Sequence, residues 1–143
     1  RPPKLLPADF RSDVVDVFGG GTAARAINTA DFALVLYIDD ALLSANWFSS
    51  GTDAMSFGAT SYLGVTLGGL IYLDDPWDST ANGDRELMAH ELVHTRQYRR
   101  FINETGFACA YGIGFARSGF DYRTNPLEEE EAYDFVAANA ASI

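Results

Sequence analysis

The chain has 143 residues, 48% of them apolar, with 20 Asp and Glu against 10 Lys and Arg, a formal net charge of −10, one Cys and two His. A chain this long makes a single domain with its own core, since domains run to about 100–200 residues, and one cysteine excludes an internal disulfide framework or a cysteine-cluster metal site. An isoelectric point near 4.4 excludes the basic face that nucleic acid or anionic lipid would require, and two histidines limit any metal site to two imidazoles.

In chain order, the start Arg1-Pro2-Pro3-Lys4-Leu5-Leu6-Pro7 has neither an initiator Met nor an apolar signal-peptide core. A trimmed or mature chain is therefore expected, without an address; a secreted or periplasmic location follows only if the chain is a processed form. Asp9 to Phe18 sets Phe10, Val14, Val15 and Phe18 at helical spacing, and Gly19-Gly20-Gly21 should stop that helix. Gly19-Gly20-Gly21-Thr22 lacks the Lys-Ser/Thr of a phosphate loop, and no Gly-x-Ser-x-Gly nucleophile elbow exists. Ala33 to Ile38 is a short apolar run that periodicity leaves open between a buried strand and part of a helix with Ala41, Leu42 and Leu43.

Tyr62 to Leu67 and Leu70 to Leu73 are rich in β-forming residues and separated by Gly68-Gly69, which predicts a hairpin. This stretch is about 12 residues long and interrupted by glycines, well short of the roughly 20 apolar residues of a membrane span. No span is expected. The cluster Asn82 to Asp84 supplies N-cap chemistry for a long helix from about Arg85 to Ile102. A second helical stretch is predicted over Glu104 to Arg117, weakened by Gly106, Gly112 and Gly114. Its Cys109, between two alanines, reads as a small buried hydrophobe rather than a reactive thiol. Asn125 as N-cap, Pro126 and Glu128 then form a capping box for a last helix, whose acidic start suits the positive end of the helix dipole.

Charge is uneven along this order. No Lys or Arg lies between Arg25 and Arg85, while Asp31, Asp39, Asp40, Asp53, Asp74, Asp75, Asp78 and Asp84 all do. Six basic residues follow, Arg85, Arg96, Arg99, Arg100, Arg117 and Arg123, so the two regions should partly neutralise each other on folding.

Inside the long helix stands His90-Glu91-Leu92-Val93-His94, the pattern H-E-x-x-H. On a 3.6-residue period, imidazoles at i and i+4 leave one face a turn apart, so both can reach one tetrahedral Zn²⁺ at about 2.0–2.1 Å. Glu91 beside them can act on the metal's water as general base. Two incidental histidines on an amphipathic helix are the bland alternative. Against it, both of the chain's histidines fall in the motif, and the helix has a start signal and no Gly or Pro within.

With no third histidine and an unsuitable lone cysteine, the remaining ligand should be a downstream carboxylate from Glu128-Glu129-Glu130-Glu131. Glu128 is engaged by the capping box. Glu129 is favoured because Ala132 and Tyr133 follow at i+3 and i+4, and a small residue there allows close helix approach. Glu130 is the rival, since it would set Asp134 at i+4, where an acid could hold a histidine by its outer nitrogen.

The run Val65-Thr66-Leu67-Gly68-Gly69-Leu70-Ile71-Tyr72-Leu73, the helix Leu87 to Tyr98, and Asn125-Pro126-Leu127 leading into Glu-rich Ala132-Tyr133 together resemble the gluzincin-type zinc metallopeptidases, in particular small bacterial DUF4157-type domains. The resemblance covers roughly residues 60 to 135. The extra glutamate after Asn125-Pro126 departs from the family's spacing and leaves the ligand register open. The resemblance implies an α+β, zincin-like fold of one domain over 1–143, with the core in 60–140 and a less certain part in 1–60. A small mixed sheet would pack on the active-site helix beside a C-terminal ligand-bearing helix. It also implies an edge strand, Leu70, Ile71, Tyr72 and Leu73, that binds extended peptide by main-chain pairing.

A peptidase of this kind needs an oxyanion donor. Tyr122, Tyr133, Tyr98, Arg123 and Arg117 are candidates, and Tyr133 leads because it sits on the ligand helix. The expected function is thus a zinc metalloendopeptidase with His90, His94 and Glu129 as ligands and Glu91 as base, acting on peptide or protein, with basic peptides favoured by the acidic middle block. The alternative is a non-catalytic binding or delivery module with structural zinc. Retention of Glu91 favours the enzyme, because a structural site has no use for a base.

Overall fold

The computed structural model describes residues 2–19, 35–40, 64–100, 104–117, 119 and 129–143. Their elements are strand β1 (Lys4–Leu5), helix α1 (Ala8–Gly19), strands β2 (Leu36–Ile38), β3 (Gly64–Leu67) and β4 (Leu70–Leu73), helices α2 (Asn82–Arg100), α3 (Glu104–Arg117) and α4 (Glu129–Asn139), and a closing 3-10 turn (Ala140–Ser142). The fold is α+β with a small mixed sheet, and none of the described helices is long and apolar enough to cross a membrane.

The predicted hairpin is present. β3 and β4 pair antiparallel, with Leu67 opposite Leu70, and Gly68 turns the chain at φ 63°, a value that L side chains disfavour and glycine adopts freely. Within the run 33–38 left open by periodicity, Leu36, Tyr37 and Ile38 form a strand parallel to Leu70, Ile71 and Tyr72, while 33 and 34 lie outside the described residues. β1 pairs antiparallel with the other side of β2, and the sheet order is β1-β2-β4-β3.

That order corrects the expected edge strand. β4 hydrogen-bonds β3 on one side and β2 on the other, so Leu70 to Leu73 have no main-chain groups left for a third partner. The hairpin is local and shows in composition; the parallel neighbour arrives from some thirty residues upstream. Among the described residues the sheet ends on β1 and on β3.

Residues opposite one another on paired strands share a face. Gly64, Thr66, Ile71, Leu73 and Tyr37 are accordingly buried together, whereas Leu67 on the other face is exposed. The buried face meets α1 and α2. Phe10, Val14 and Phe18 of α1, at the predicted spacing, join Ile71, Leu73, Met88, Leu92, Val93 and Ala132 in one core. Trp77 packs edge-on to Phe10 and Tyr37, and Phe18 lies 4.3 Å from the Phe135 ring, drawing α4 into the same core.

The long helix starts three residues before the predicted Arg85, because the Ala81 carbonyl already accepts from the Arg85 N–H. Asn82 to Asp84 form its first turn rather than its cap. Asp84 turns back to accept from the Asp78 N–H at 2.7 Å, and a carboxylate there also suits the helix dipole. α3 has the predicted bounds, Glu104–Arg117, but Cys109 is exposed, not buried, since it lies on a face that α3 turns to solvent with Gly112 and Ile113. The capping box at Asn125, Pro126 and Glu128 and the glycine stop at Gly20 and Gly21 lie outside the described residues.

Candidate metal centre

From Met88 to Thr95 every residue of α2 is buried. An apolar helix buried all round needs no explanation, but this one carries His90, Glu91 and His94 into the interior, with Glu91 only 3% exposed. Ionisable side chains are costly there unless partners compensate them.

His90 and His94 lie one turn apart with their Nε2 atoms 3.1 Å from each other. Two ligands about 2.0–2.1 Å from a tetrahedral ion stand roughly 3.3 Å apart, so the spacing fits a shared zinc. The ligand atoms of His90, His94 and Glu91 all lie within 4.8 Å of one another. Imidazole nitrogens and a carboxylate are also the donor types that zinc takes.

Glu91 is fixed by β3. Thr66 Oγ1 donates at 2.6 Å to Glu91 Oε2 and lies 3.1 Å from the Glu91 carbonyl oxygen. Two residues earlier, on the same strand face, a Cβ at Gly64 would stand 2.7 Å from Glu91 Oε1. Only glycine allows the carboxylate to lie this close to the strand. Neither contact could be read from the chain alone, although strand alternation already puts Gly64 and Thr66 on one face.

Behind His94, Gln97 is fully buried and its Oε1 lies 2.8 Å from His94 Nδ1. Gln97 Nε2 donates to Glu131 Oε2 at 3.3 Å, and the Arg96 guanidinium donates to Glu131 Oε1 at 3.1 Å. Gln97 thus both fills the core and hydrogen-bonds. The signal for its partner was its i+3 spacing from His94, which puts both on one helix side. Glu131 was not singled out among the four glutamates.

α4 packs on α2 with Ala132 fully buried, the close approach expected of a small residue there. It brings Tyr133 beside the pair: the Tyr133 and His90 ring centroids are 4.6 Å apart, and Tyr133 is 37% exposed at the rim. Glu129 and Glu130 are in the first turn of α4, and their side chains lie outside the described residues, as does Glu128. Tyr98 is half-buried on α2 and Arg117 exposed at the end of α3, whereas Tyr122 and Arg123 lie outside the described residues. Leu70 to Leu73 belong to the internal strand β4.

No curated protein and no solved structure matches the chain. Residues 49–101, a little over a third of the chain and including the hairpin and α2, match the family model of the eCIS core domain, that of an extracellular contractile injection system, which is a DUF4157-like family.

Proposed function

We propose that the domain is a zinc-dependent peptidase of zincin-like arrangement, in which His90 and His94 hold the ion, Glu129 completes the ligand set from the start of α4, and Glu91 is the general base. The observation that carries this reading is the buried pair of imidazole nitrogens 3.1 Å apart with a buried carboxylate beside them. Zinc held there would polarise a peptide carbonyl and make a water nucleophilic near neutral pH.

The chain's own groups divide the remaining work. Thr66 occupies Glu91 Oε2, so Oε1 is the oxygen that takes the proton from water and returns it to the leaving amine. Tyr133 at the rim would donate a hydrogen bond from its hydroxyl to the developing oxyanion. An extended peptide would pair with β3, the strand at the sheet end beside α2, in place of the internal β4. The aspartates after β2 and β4 lie at the Gly64 end of β3, because Gly64 pairs with Leu73 and Asp40 N–H donates to the Asp75 carbonyl. Their charge favours basic peptides. Cleavage profiling of a peptide library should show Lys or Arg enriched at one subsite; an even profile would remove that preference.

Replacing Glu91 by Gln tests the mechanism. The amide keeps an acceptor for Thr66, so zinc should remain near one per chain by metal analysis while peptide cleavage falls at least about 10²-fold. Undiminished cleavage in E91Q would remove Glu91 as the base, and a wild-type chain that takes up no zinc would remove the metal.

The family match favours a second reading, since its description names an injection-system core. In that reading the domain is a non-catalytic module carried with such an assembly, and zinc is a brace. It expects E91Q to alter neither function nor zinc content, and chelation to lower the melting temperature without loss of any hydrolytic activity.

A further inference from the structure

The line of groups behind His94 determines more than its packing. A carboxylate only accepts hydrogen bonds, so the end of the Gln97 amide that meets Glu131 must be its NH₂, and the end that meets His94 must be its carbonyl oxygen. That oxygen in turn only accepts, so His94 Nδ1 carries the hydrogen. A neutral imidazole has one N–H, which leaves the Nε2 lone pair facing His90 Nε2 at 3.1 Å. Turning the Gln97 amide over would oppose its carbonyl to a carboxylate. Gln97, at 0% exposure, is out of reach of the bulk solvent that could relieve such a contact. Glu131 is held by Arg96, whose guanidinium also lies 5.5 Å from the Phe18 and Phe135 rings.

We propose that Gln97 is a positioning residue that holds His94 in its Nδ1–H form and presents Nε2 to the cation, and that Glu131, anchored by Arg96, sets the direction of the Gln97 amide. The purpose of this arrangement rests on the zinc reading above; the tautomer is a property of the metal-free chain and can be measured without the ion.

Two readouts separate the two. Side-chain nitrogen NMR of the chelator-treated protein reports which His94 nitrogen is protonated, and competition with a chromogenic chelator reports zinc affinity. The wild type should show one His94 tautomer, protonated at Nδ1. Gln97→Leu, which keeps the volume and removes the acceptor, should give mixed tautomers and lower zinc affinity roughly 10–100-fold. Glu131→Gln, at a half-buried position, should mix the tautomers with a smaller loss, and it supplies the same readout should Gln97→Leu fold poorly. The double variant Q97E/E131Q restores an acceptor on Nδ1 and a donor behind it, and should regain most of the lost affinity, which a packing role alone would not.

Wild-type zinc affinity together with a single His94 tautomer in Gln97→Leu would overturn the assignment. A wild type that binds zinc with mixed tautomers would also overturn it while leaving the metal in place. A wild type that binds no zinc, yet loses its single tautomer in Gln97→Leu, would keep the assignment and remove the metal.

Discussion

A methyl group at residue 64 would be 2.7 Å from Glu91 Oε1, so Gly64→Ala must push the carboxylate away from β3. The clash meets a buried carboxylate that Thr66 of the same strand holds at 2.6 Å, so displacing it costs that hydrogen bond as well as the position of the proposed base. Gly64→Ala should lower peptide cleavage and the melting temperature with zinc content little changed; cleavage at the wild-type rate would show that the carboxylate need not lie against the strand. Thr66→Val instead removes the hydroxyl that satisfies Glu91 Oε2. Leaving a buried carboxylate oxygen without its donor costs about 1–3 kcal/mol, measurable by denaturant unfolding. An unchanged midpoint would mean that Thr66 contributes nothing to holding the Glu91 carboxylate. These contacts also mark how far the site could be read in advance. His90, Glu91 and His94 are legible because a helix turns their spacing into proximity. Gly64 and Thr66 are not, since they reach Glu91 across 25 or more residues and only a folded sheet puts them there. The favoured ligand Glu129 rests on spacing alone.

At the scale of elements, local signals served well and long-range pairing did not. Gly68-Gly69 announced the hairpin because the turn conformation is written in those two residues. The place of β4 in the sheet depends on its parallel pairing with β2, for which no local signal exists, and so the sheet ends on β3 rather than on β4 among the described residues. The start of α2 moved by a turn for a related reason. Asp84 looks like a cap in sequence, but its side chain reaches back to Asp78 from inside the helix. α3 offers a test of propensity free of packing. A Cβ at exposed Gly112 would meet nothing within 4 Å, so Gly112→Ala should stabilise the protein by about 0.8–1 kcal/mol. A lower melting temperature in that variant would mean that the glycine serves a contact beyond the described residues.

Over the whole molecule, the chain is acidic, and the structure shows how some of that acidity is neutralised by residues distant in sequence. Arg85 bridges to Asp13, Arg96 to Glu131, and Lys4 to Asp39. The last pair sets an acid limit. Burial alone would raise the Asp39 pKa, but the Lys4 hydrogen bond, the Trp77 backbone N–H and the Lys4 charge outweigh it and hold the carboxyl below the ordinary carboxylate range. Its ionisation therefore stabilises the fold fully above the usual carboxylate pKa of about 4, and that contribution is lost as the pH falls through Asp39's own lower value. Asp39→Asn should be less stable than wild type at neutral pH, with the gap closing in acid; a gap independent of pH would assign the loss to packing.

The Lys4 pair has a consequence for self-association. β1 is two residues long, and it is the segment that covers the outer hydrogen-bonding groups of β2. Protonating Asp39 loosens the ion pair that fastens it, and once β1 lifts away, Leu36 to Ile38 become an open strand able to template pairing with another chain. Acid strong enough to protonate Asp39, below the ordinary carboxylate range, should therefore promote sheet-to-sheet oligomers, which sizing of the protein across an acid series would detect.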